Sequence, residues 1–391
     1  MQRVIIIGGG LVGATTAIAL AQQGVPVTII DNQAPSPNQN LDGRTTAVSY
    51  GSKLIFDNLG LWPLLAAHAS PILQIRVFEE GSPWQVAYDS QTIGNHPMGF
   101  IIANPHLRQA LWDRAQEFTN LTWIAPAQVV ATHYHPACVE LHLNTGETIS
   151  GQLLVAAEGR HSPTTKATGI PQTSWSYEQA AFVCTVHHAV PHDGVAWEIF
   201  STRGAYALLP LTPCSETGTS RSGVVFTLPL KQANDLMAKD SAEISHFLSE
   251  HFRFYVPLQL VGESWCYPLS AMKLERIIDQ RLAIVGDAAH VVHPIAGQGV
   301  NLGWRDAAAL AFEVGEAFRN GLDIGSQTVL TRYQKQRQPD HRQMLQMTDG
   351  IVRLYGKQST LFYFLRNAGL GIVEQLPPLK RLLMKHAMGI S

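Results

Sequence analysis

The chain is 391 residues long, beyond the size at which one hydrophobic core stops growing, so two domains sharing an interface are expected. It is 46% hydrophobic and 15% charged, with a formal net charge of -2 and no long run of one sign, which excludes the basic footprint of a nucleic-acid binder. Cys138, Cys184, Cys214 and Cys266 lack C-x-x-C or zinc-type spacing, which argues against a disulfide framework or metal cage and fits a reducing cytoplasm.

Arg3 to Ile7 is a β-branched run that leads through glycines into a helical stretch, Val12 to Gln23. Gly24 stops that helix, and Val25 to Ile30 form a second strand ending at Asp31. The apolar run from Val4 to Leu20 with Ala19-Leu20-Ala21 imitates a secretory signal, but a disposable segment has no need of its spaced glycines. A βαβ opening is expected instead, with both strands ending on one edge of a parallel sheet. Ala34 to Asp42 reads as a surface loop, and short alternating strands follow between Pro71 and Phe100, clearest at Ile75 to Glu79 and Trp84 to Tyr88. Then come a helix near Pro105 to Phe118, a strand at Gly151 to Ala157, and a β-rich region from Ser174 to Ser270 that suits an inserted antiparallel sheet. Arg281 to Val285 is the last strand of the nucleotide domain, followed by a helix from Gly299 to Phe318 and two or three more. No segment offers about 18 uninterrupted apolar residues, so no membrane-spanning helix is expected. The expected division is a discontinuous nucleotide domain (1–70, 101–173, 276–345), a substrate domain (71–100, 174–275) and C-terminal helices (346–391).

Two motifs carry chemistry. In Gly8-x-Gly10-x-x-Gly13, Gly8 permits a tight turn, Gly10 lets a pyrophosphate approach the backbone, and Gly13 lets helix and strand pack closely. Leu11 and Val12 open the helix whose N-terminus faces the phosphates, and Asp31 can accept both ribose hydroxyls. This motif alone does not choose between FAD and NAD. The second motif does: Gly286-Asp287-Ala288-Ala289-His290-x-x-His293-Pro294-x-x-Gly297-Gln298-Gly299-Val300-Asn301. An acid at a strand end, Asp287, suits the ribityl hydroxyls of a flavin, and the backbone N–H groups near Gly297 to Gly299 suit negative charge on a reduced isoalloxazine. Reading His290 and His293 as a metal pair would need further ligands at plausible spacing, so no metal is expected.

With these residues in hand, the sequence resembles the class A flavin monooxygenases of the para-hydroxybenzoate hydroxylase fold, and within them the ubiquinone-biosynthesis hydroxylases, over nearly its whole length. The marks are the glycine fingerprint, Asp42-Gly43-Arg44-Thr45-Thr46-Ala47-Val48-Ser49, the Gly286 to Asn301 stretch with Gly303 and Asp306-Ala307, Tyr333-x-x-x-Arg337 and Thr348-Asp349. The resemblance implies an α/β fold in which a Rossmann-like FAD-binding domain carries an inserted antiparallel β-sheet substrate domain and C-terminal helices. It places Arg44 near the cofactor pyrophosphate or a visiting nicotinamide. Two departures stand out. Glu158-Gly159-Arg160 replaces the family's Asp-Gly pair, with Thr165 where an arginine is usual. Asn104 stands where many relatives carry an arginine that reaches FAD, and Arg108, one turn on, is the substitute.

The resemblance further implies that NAD(P)H or another donor reduces FAD, molecular oxygen adds at flavin C4a to give a hydroperoxyflavin, and the distal oxygen passes to an electron-rich phenolic ring lying over Pro294, Gly297 and Gln298. The expected substrate is a polyprenylated phenol on the route to ubiquinone. Alternatives are a small soluble aromatic acid, which needs a cationic pocket, and a flavin-holding scaffold subunit with little turnover. No side chain in residues 174 to 275 announces itself as the base that ionises a phenol; His187, His188 and His192 qualify only because histidine titrates near neutrality. The C-terminal region mixes Phe362, Phe364, Leu365 and Leu370 with Arg366, Lys380, Arg381 and Lys385. That pattern suits peripheral contact with the inner membrane or a quinone-biosynthesis complex, and equally a cap on the fold or a dimer contact.

Overall fold

A computed structural model describes residues 2–35, 43–357 and 359–390; Asp42 and most of the loop expected at Ala34 to Asp42 lie outside these. The first strand, Val4–Ile7, is the fully apolar centre of a six-stranded sheet. It pairs in parallel with Val27–Ile30 on one side and Leu153–Ala156 on the other, and the latter pairs with Leu282–Ile284. Such strands, buried on both faces, read as unbroken runs of Val, Ile and Leu rather than alternating patterns. The helix Leu11–Gln22 is buried from Gly13 to Ala21, as its near absence of polar side chains requires. Its two threonines return their hydroxyls to Leu11 O (2.7 Å) and Val12 O (2.8 Å). The chain leaves Val4–Ile7 toward one side of the sheet and Leu153–Ala156 toward the other, so a crevice opens beyond their carboxyl ends.

The second layer is an eight-stranded sheet built from Gln74–Glu79, Gln85–Asp89, Gln172–His188, Val195–Ser201, Gly204–Leu211, Ser220–Pro229, Gln259–Leu274 and the short His290–Val291. It is the expected antiparallel sheet, except that Val195–Ser201 pairs in parallel with Gln74–Glu79, because the two come from distant segments and are joined by no hairpin. Ser70–Ile72 and Gly99–Ala103, which straddle the two ends of the segment 71–100 assigned to the substrate domain, join Thr45–Ser49 in a separate three-stranded sheet. Two helices missed in the β-rich region, Leu230–Met237 and Ser241–His251, cover one face of the large sheet, the second opened by an Asp240/Glu243 capping box. The expected boundary at residue 345 falls inside one long helix, Gln327–Tyr355, which runs through Pro339. The helices Thr360–Gln375 and Pro377–Met388 close the chain.

Candidate active site

Four strand ends converge on the crevice: Ile7 runs into Gly8, Ile30 into Asp31, Ala156 into the Glu158 loop, and Ile284 into Gly286 and Asp287. The three fingerprint glycines differ in what surrounds them. A Cβ on Gly8, whose φ is +102°, would lie 2.4 Å from Ala157 O, and one on Gly13 would lie 1.9 Å from Gly8 O. A Cβ on Gly10 would meet nothing within 4 Å. Gly8 and Gly13 therefore serve packing, whereas Gly10 keeps space open at the N-terminus of Leu11–Gln22, a helix end with no side-chain cap. Those N–H groups are left for a ligand. Asp31 Oδ2 accepts the Gly9 N–H at 2.5 Å and Oδ1 the Gln33 N–H at 2.9 Å, which fixes its carboxylate at the crevice edge.

On the opposite wall, Gly286 has φ +60°, and its N–H donates to Asp306 Oδ2 at 3.1 Å. This turn carries Asp287 into the cavity. Asn301 is fully buried: its amide donates to Ala47 O (2.7 Å) and Gly297 O (3.0 Å), and its Oδ1 accepts the Ser49 N–H (2.9 Å). It clamps the Pro294 to Gly299 loop to the strand Thr45–Ser49 and does not itself line the cavity. Gln298 donates from Nε2 to Ala387 O at 3.0 Å, so the C-terminal helix is pinned to the same loop.

Gly8, Gly10, Leu11, Val12, Asp31, Arg44, Asn104, Asp287, Pro294, Gly297, Gln298, Gly299 and Val300 all line one cavity of about 1940 Å³. Gly13, Gly286, Asn301 and Arg108 stand outside its wall. Arg44 lies over the Tyr267 ring at 5.1 Å, and Asn104 Oδ1 accepts the Thr46 hydroxyl at 2.7 Å. In the departed loop, Glu158 accepts the Ser162 hydroxyl at 2.5 Å while Glu158, Gly159 and Arg160 line the cavity. Thr165 is buried against Ala288 O rather than turned to a ligand.

The histidines separate. His293 is buried, accepts the Ile295 N–H at Nδ1 (3.3 Å) and meets the Tyr177 ring edge-on, and burial pushes its pKa down to about 4. His290 turns away to Asp306 Oδ2 at 2.8 Å. Asp306, fully buried, also accepts His341 Nε2 (2.6 Å) and Arg337 Nε (2.8 Å) at Oδ1, and Arg337 and Arg305 both reach Asp340 (2.7 and 3.0 Å). Although His290, Asp306 and His341 lie close enough to hold a metal, the Arg337 guanidinium already supplies the cation there. The cluster is a buried network behind the Gly286 turn, and neither His341 nor its role was visible from sequence spacing. His187, His188 and His192 do not line the cavity. His188 bonds Ser222 Oγ (2.9 Å) and Val190 O (2.7 Å), and His192 bonds Leu211 O (2.8 Å).

Beyond the flavin-side loops the cavity wall is apolar: Ile75, Val77, Ala196, Phe200, Leu209 and Met384 are among its lining, and one carboxyl, that of Glu198, stands among them. Burial pushes the Glu198 carboxyl up to about 7. Sequence reasoning missed it, although Ala196-x-Glu198-x-Phe200 puts an acid on the apolar face of an alternating strand.

Glycine cradle, uncapped helix end, an acid at each of two strand ends, Asp31 and Asp287, and a cavity larger than one ordinary ligand needs together define a nucleotide-binding oxidoreductase fold with room for a second molecule. The comparisons agree: residues 1–348 match the FAD binding domain model FAD_binding_3, and the chain belongs to that family. It is 39% identical to ubiquinone hydroxylase UbiL of Rhodospirillum rubrum, over 99% of this chain and 89% of the relative. It is 31% identical to the 3-demethoxyubiquinol 3-hydroxylase of Escherichia coli, over 98% of each. The crystal structure of PqsL, a probable FAD-dependent monooxygenase from Pseudomonas aeruginosa, shares the fold at a TM-score of 0.79 and 20% identity, over 95% of this chain and 99% of that one. FAD is the cofactor this cavity is built for, and the enzyme class is FAD-dependent monooxygenase.

Proposed function

We propose that this chain hydroxylates the ring of a polyprenylated phenol in ubiquinone biosynthesis, with molecular oxygen as co-substrate and NAD(P)H as electron donor. The observation that carries the reading is the continuity of one cavity from the flavin loops, through an apolar wall, to Leu383, Met384 and Met388 of the C-terminal helix. The bound flavin supplies the redox chemistry and the activation of oxygen. The protein would hold it: the N–H groups at Leu11 and Val12 would take the pyrophosphate, Asp31 and Asp287 would accept hydroxyls of the ribose and ribityl chains, and Gln298 and Gly299 would offer backbone N–H groups to the ring, the Gly297 N–H being already donated to Pro294 O (2.8 Å) and that of Ile295 to His293 Nδ1 (3.3 Å). Arg44, Asn104 and the Glu158 loop border the nucleotide, being in the cavity wall, from which Arg108 is absent. Pro294, Gly297 and Gln298 form the floor on which the phenol ring rests.

A small aromatic acid fits less well, because the cationic side chains in the cavity wall, Arg44 and Arg160, belong to the flavin-side loops and none stands in the apolar wall. A prenyl tail fits that wall. The wall takes in Leu383, Met384 and Met388 of Pro377–Met388, and that helix and the segment before it expose Leu361, Phe364, Leu365, Ile372, Leu376 and Leu382, a surface suited to peripheral contact with the inner membrane. No helix of the described residues is long and apolar enough to cross a membrane. Co-sedimentation with anionic vesicles tests that contact: a Phe364→Asp, Leu365→Asp variant is expected to lose most of its bound fraction, and unchanged binding would remove this surface from the account.

The function itself is tested by lipid chromatography with mass detection on a strain lacking the protein. A prenylated phenol one oxygen short is expected to accumulate and to disappear with the native copy. Asp287→Ala is expected to weaken FAD roughly 10- to 100-fold, the cost of about 1.5–3 kcal/mol for hydrogen bonds to a charged group, and to restore little product. An unchanged quinone profile would overturn the reading.

A further inference from the structure

Glu198 lies in the middle of a cross-strand row. The register pairs it with Val77 on one side and Ala207 on the other, then Ala207 with Val225 and Val225 with Val183. All five residues line the cavity, as do Ala196 and Phe200, the same-face neighbours of Glu198 along its own strand. A row of this kind is completed for packing by another aliphatic side chain. A carboxyl placed there costs several kcal/mol if it is charged and unpaired, and Glu198 makes no side-chain hydrogen bond or ion pair among the described residues.

No neighbouring element brings a charge to compensate it. On the adjacent strand Arg76 pairs with Trp197 in the register and lies over that ring at 4.9 Å, one residue out of step with Glu198 and so on the other face. Tyr206 pairs with Ile199 and stacks on Phe226. Two titratable groups share the face: Tyr88, opposite Ile75, which burial and the nearby Glu374 push up to about 12 so that it stays neutral, and Tyr267, opposite Ala181, which lies under the Arg44 guanidinium at 5.1 Å. Neither shifts the Glu198 carboxyl, for which burial is the one cause. From the C-terminal helices the wall receives Met347, Ile351, Leu383, Met384 and Met388, none of them ionisable. The carboxyl therefore faces the space where a substrate ring would lie, with nothing in the protein to bind.

We propose that Glu198 is the base that takes the proton from the phenolic hydroxyl of the substrate. The substrate O–H bond breaks with its electron pair left on oxygen, and the proton forms a new O–H bond on the Glu198 carboxylate. The ring becomes a phenolate, more nucleophilic and ready for oxygen transfer, and the proton returns to the phenolic oxygen as product leaves. This assignment rests on the phenol-hydroxylase reading above.

Proton transfer is most effective when donor and acceptor are close in acidity. A phenol ionises near ~10 and an ordinary glutamate near ~4.3, a gap that an apolar wall narrows by raising the carboxyl. The same wall leaves the total charge of the pair at one, so ionising the ring adds none.

The test uses the full FAD-loaded chain with Glu198→Gln and Glu198→Asp. Hydroxylation of a short-chain prenylated phenol is followed against pH, and difference infrared spectra are recorded on adding the phenol above the carboxyl's own pKa. The glutamine variant is expected to keep native FAD content and lose roughly 10²–10⁴-fold in hydroxylation. The native rise in rate through pH about 7 should vanish, its rate climbing only where the phenol ionises unaided. The native protein should gain one protonated-carboxyl band on binding phenol, absent from the glutamine variant and present, with a reduced rate, in the aspartate variant. An unchanged rate and pH profile in Glu198→Gln, or no ligand-induced band in the native protein, overturns the assignment alone. A native protein that hydroxylates no phenol overturns the function and this assignment together.

Discussion

Gly10→Ala is expected to abolish tight FAD binding while the apoprotein stays within ~1 kcal/mol of native stability, whereas Gly13→Ala is expected to damage both. The two glycines lie three residues apart in one motif, and their surroundings decide the difference. Gly10 has φ -67° and ψ -174°, which any residue adopts, and its added methyl would touch no protein atom within 4 Å. That methyl would stand where the pyrophosphate must approach the helix N-terminus, so the loss is expected at about 100-fold or more, about 3 kcal/mol. The cap itself changes only from glycine to alanine, a small term. At Gly13 the methyl would sit 1.9 Å from Gly8 O and 3.1 Å from Ala157 Cβ, which forces the helix off the sheet. Overpacking of this kind costs ~1–3 kcal/mol and moves the Gly8 turn with it. Urea unfolding of the apoproteins and FAD titration by fluorescence separate the two effects. A Gly10→Ala protein that binds FAD like the native chain would show that the phosphates do not lie against this turn.

The contrast also marks what the sequence could and could not disclose. Strand, glycine turn, helix and acid at fixed spacing are local, and the βαβ opening and Asp31 follow from short-range geometry. The Gly286 to Asn301 stretch was equally legible as a loop bordering the cavity, but the division of labour within it was not. Asn301 spends its amide on Ala47, Gly297 and Ser49, a role fixed by a strand some 250 residues earlier. Gln298 holds the C-terminal helix through Ala387. Non-local pairing likewise set the parallel contact between Gln74–Glu79 and Val195–Ser201, and with it the position of Glu198. In a β-rich region the period-2 pattern tells which residues share a face, yet not which face meets the ligand until the strand order is known. The two helices within that region were hidden for a related reason: at 8 and 11 residues they are too short for periodicity to outweigh the surrounding strand signals.

Asp306→Ala is expected to be the most destabilising single substitution considered, at about 3–5 kcal/mol, because it breaks a buried ionic network from its centre. The Asp306 carboxylate receives four donors, from Gly286, His290, His341 and Arg337. Burial works against its charge, but His341, His290 and their hydrogen bonds more than offset that and hold its pKa well below the ordinary carboxylate range. Removing it leaves Arg337 with Asp340 as its remaining partner and frees the Gly286 N–H, so the turn that presents Asp287 loosens and FAD retention should fall with stability. The pH dependence has a definite sign. Burial holds His341 at about 4 against the usual 6.5, although Asp306 pulls it upward, and His293 is lowered by burial to about 4 as well. Between pH 6.5 and 4 the unfolded chain takes up protons that the folded chain refuses, so stability falls as pH falls. The Asp306 carboxyl, depressed in the folded state, gives stability that is present above its ordinary pKa and lost only at lower pH, as it is protonated. Chemical denaturation at neutral pH and near the lower end of that window measures both effects. The native protein should lose stability on acidification, His341→Gln should lose less, and Asp306→Ala should already be weak at neutral pH and poor in FAD. An Asp306→Ala protein as stable and as yellow as the native one would mean that the Gly286 turn is held by its own backbone and that the network behind it is dispensable.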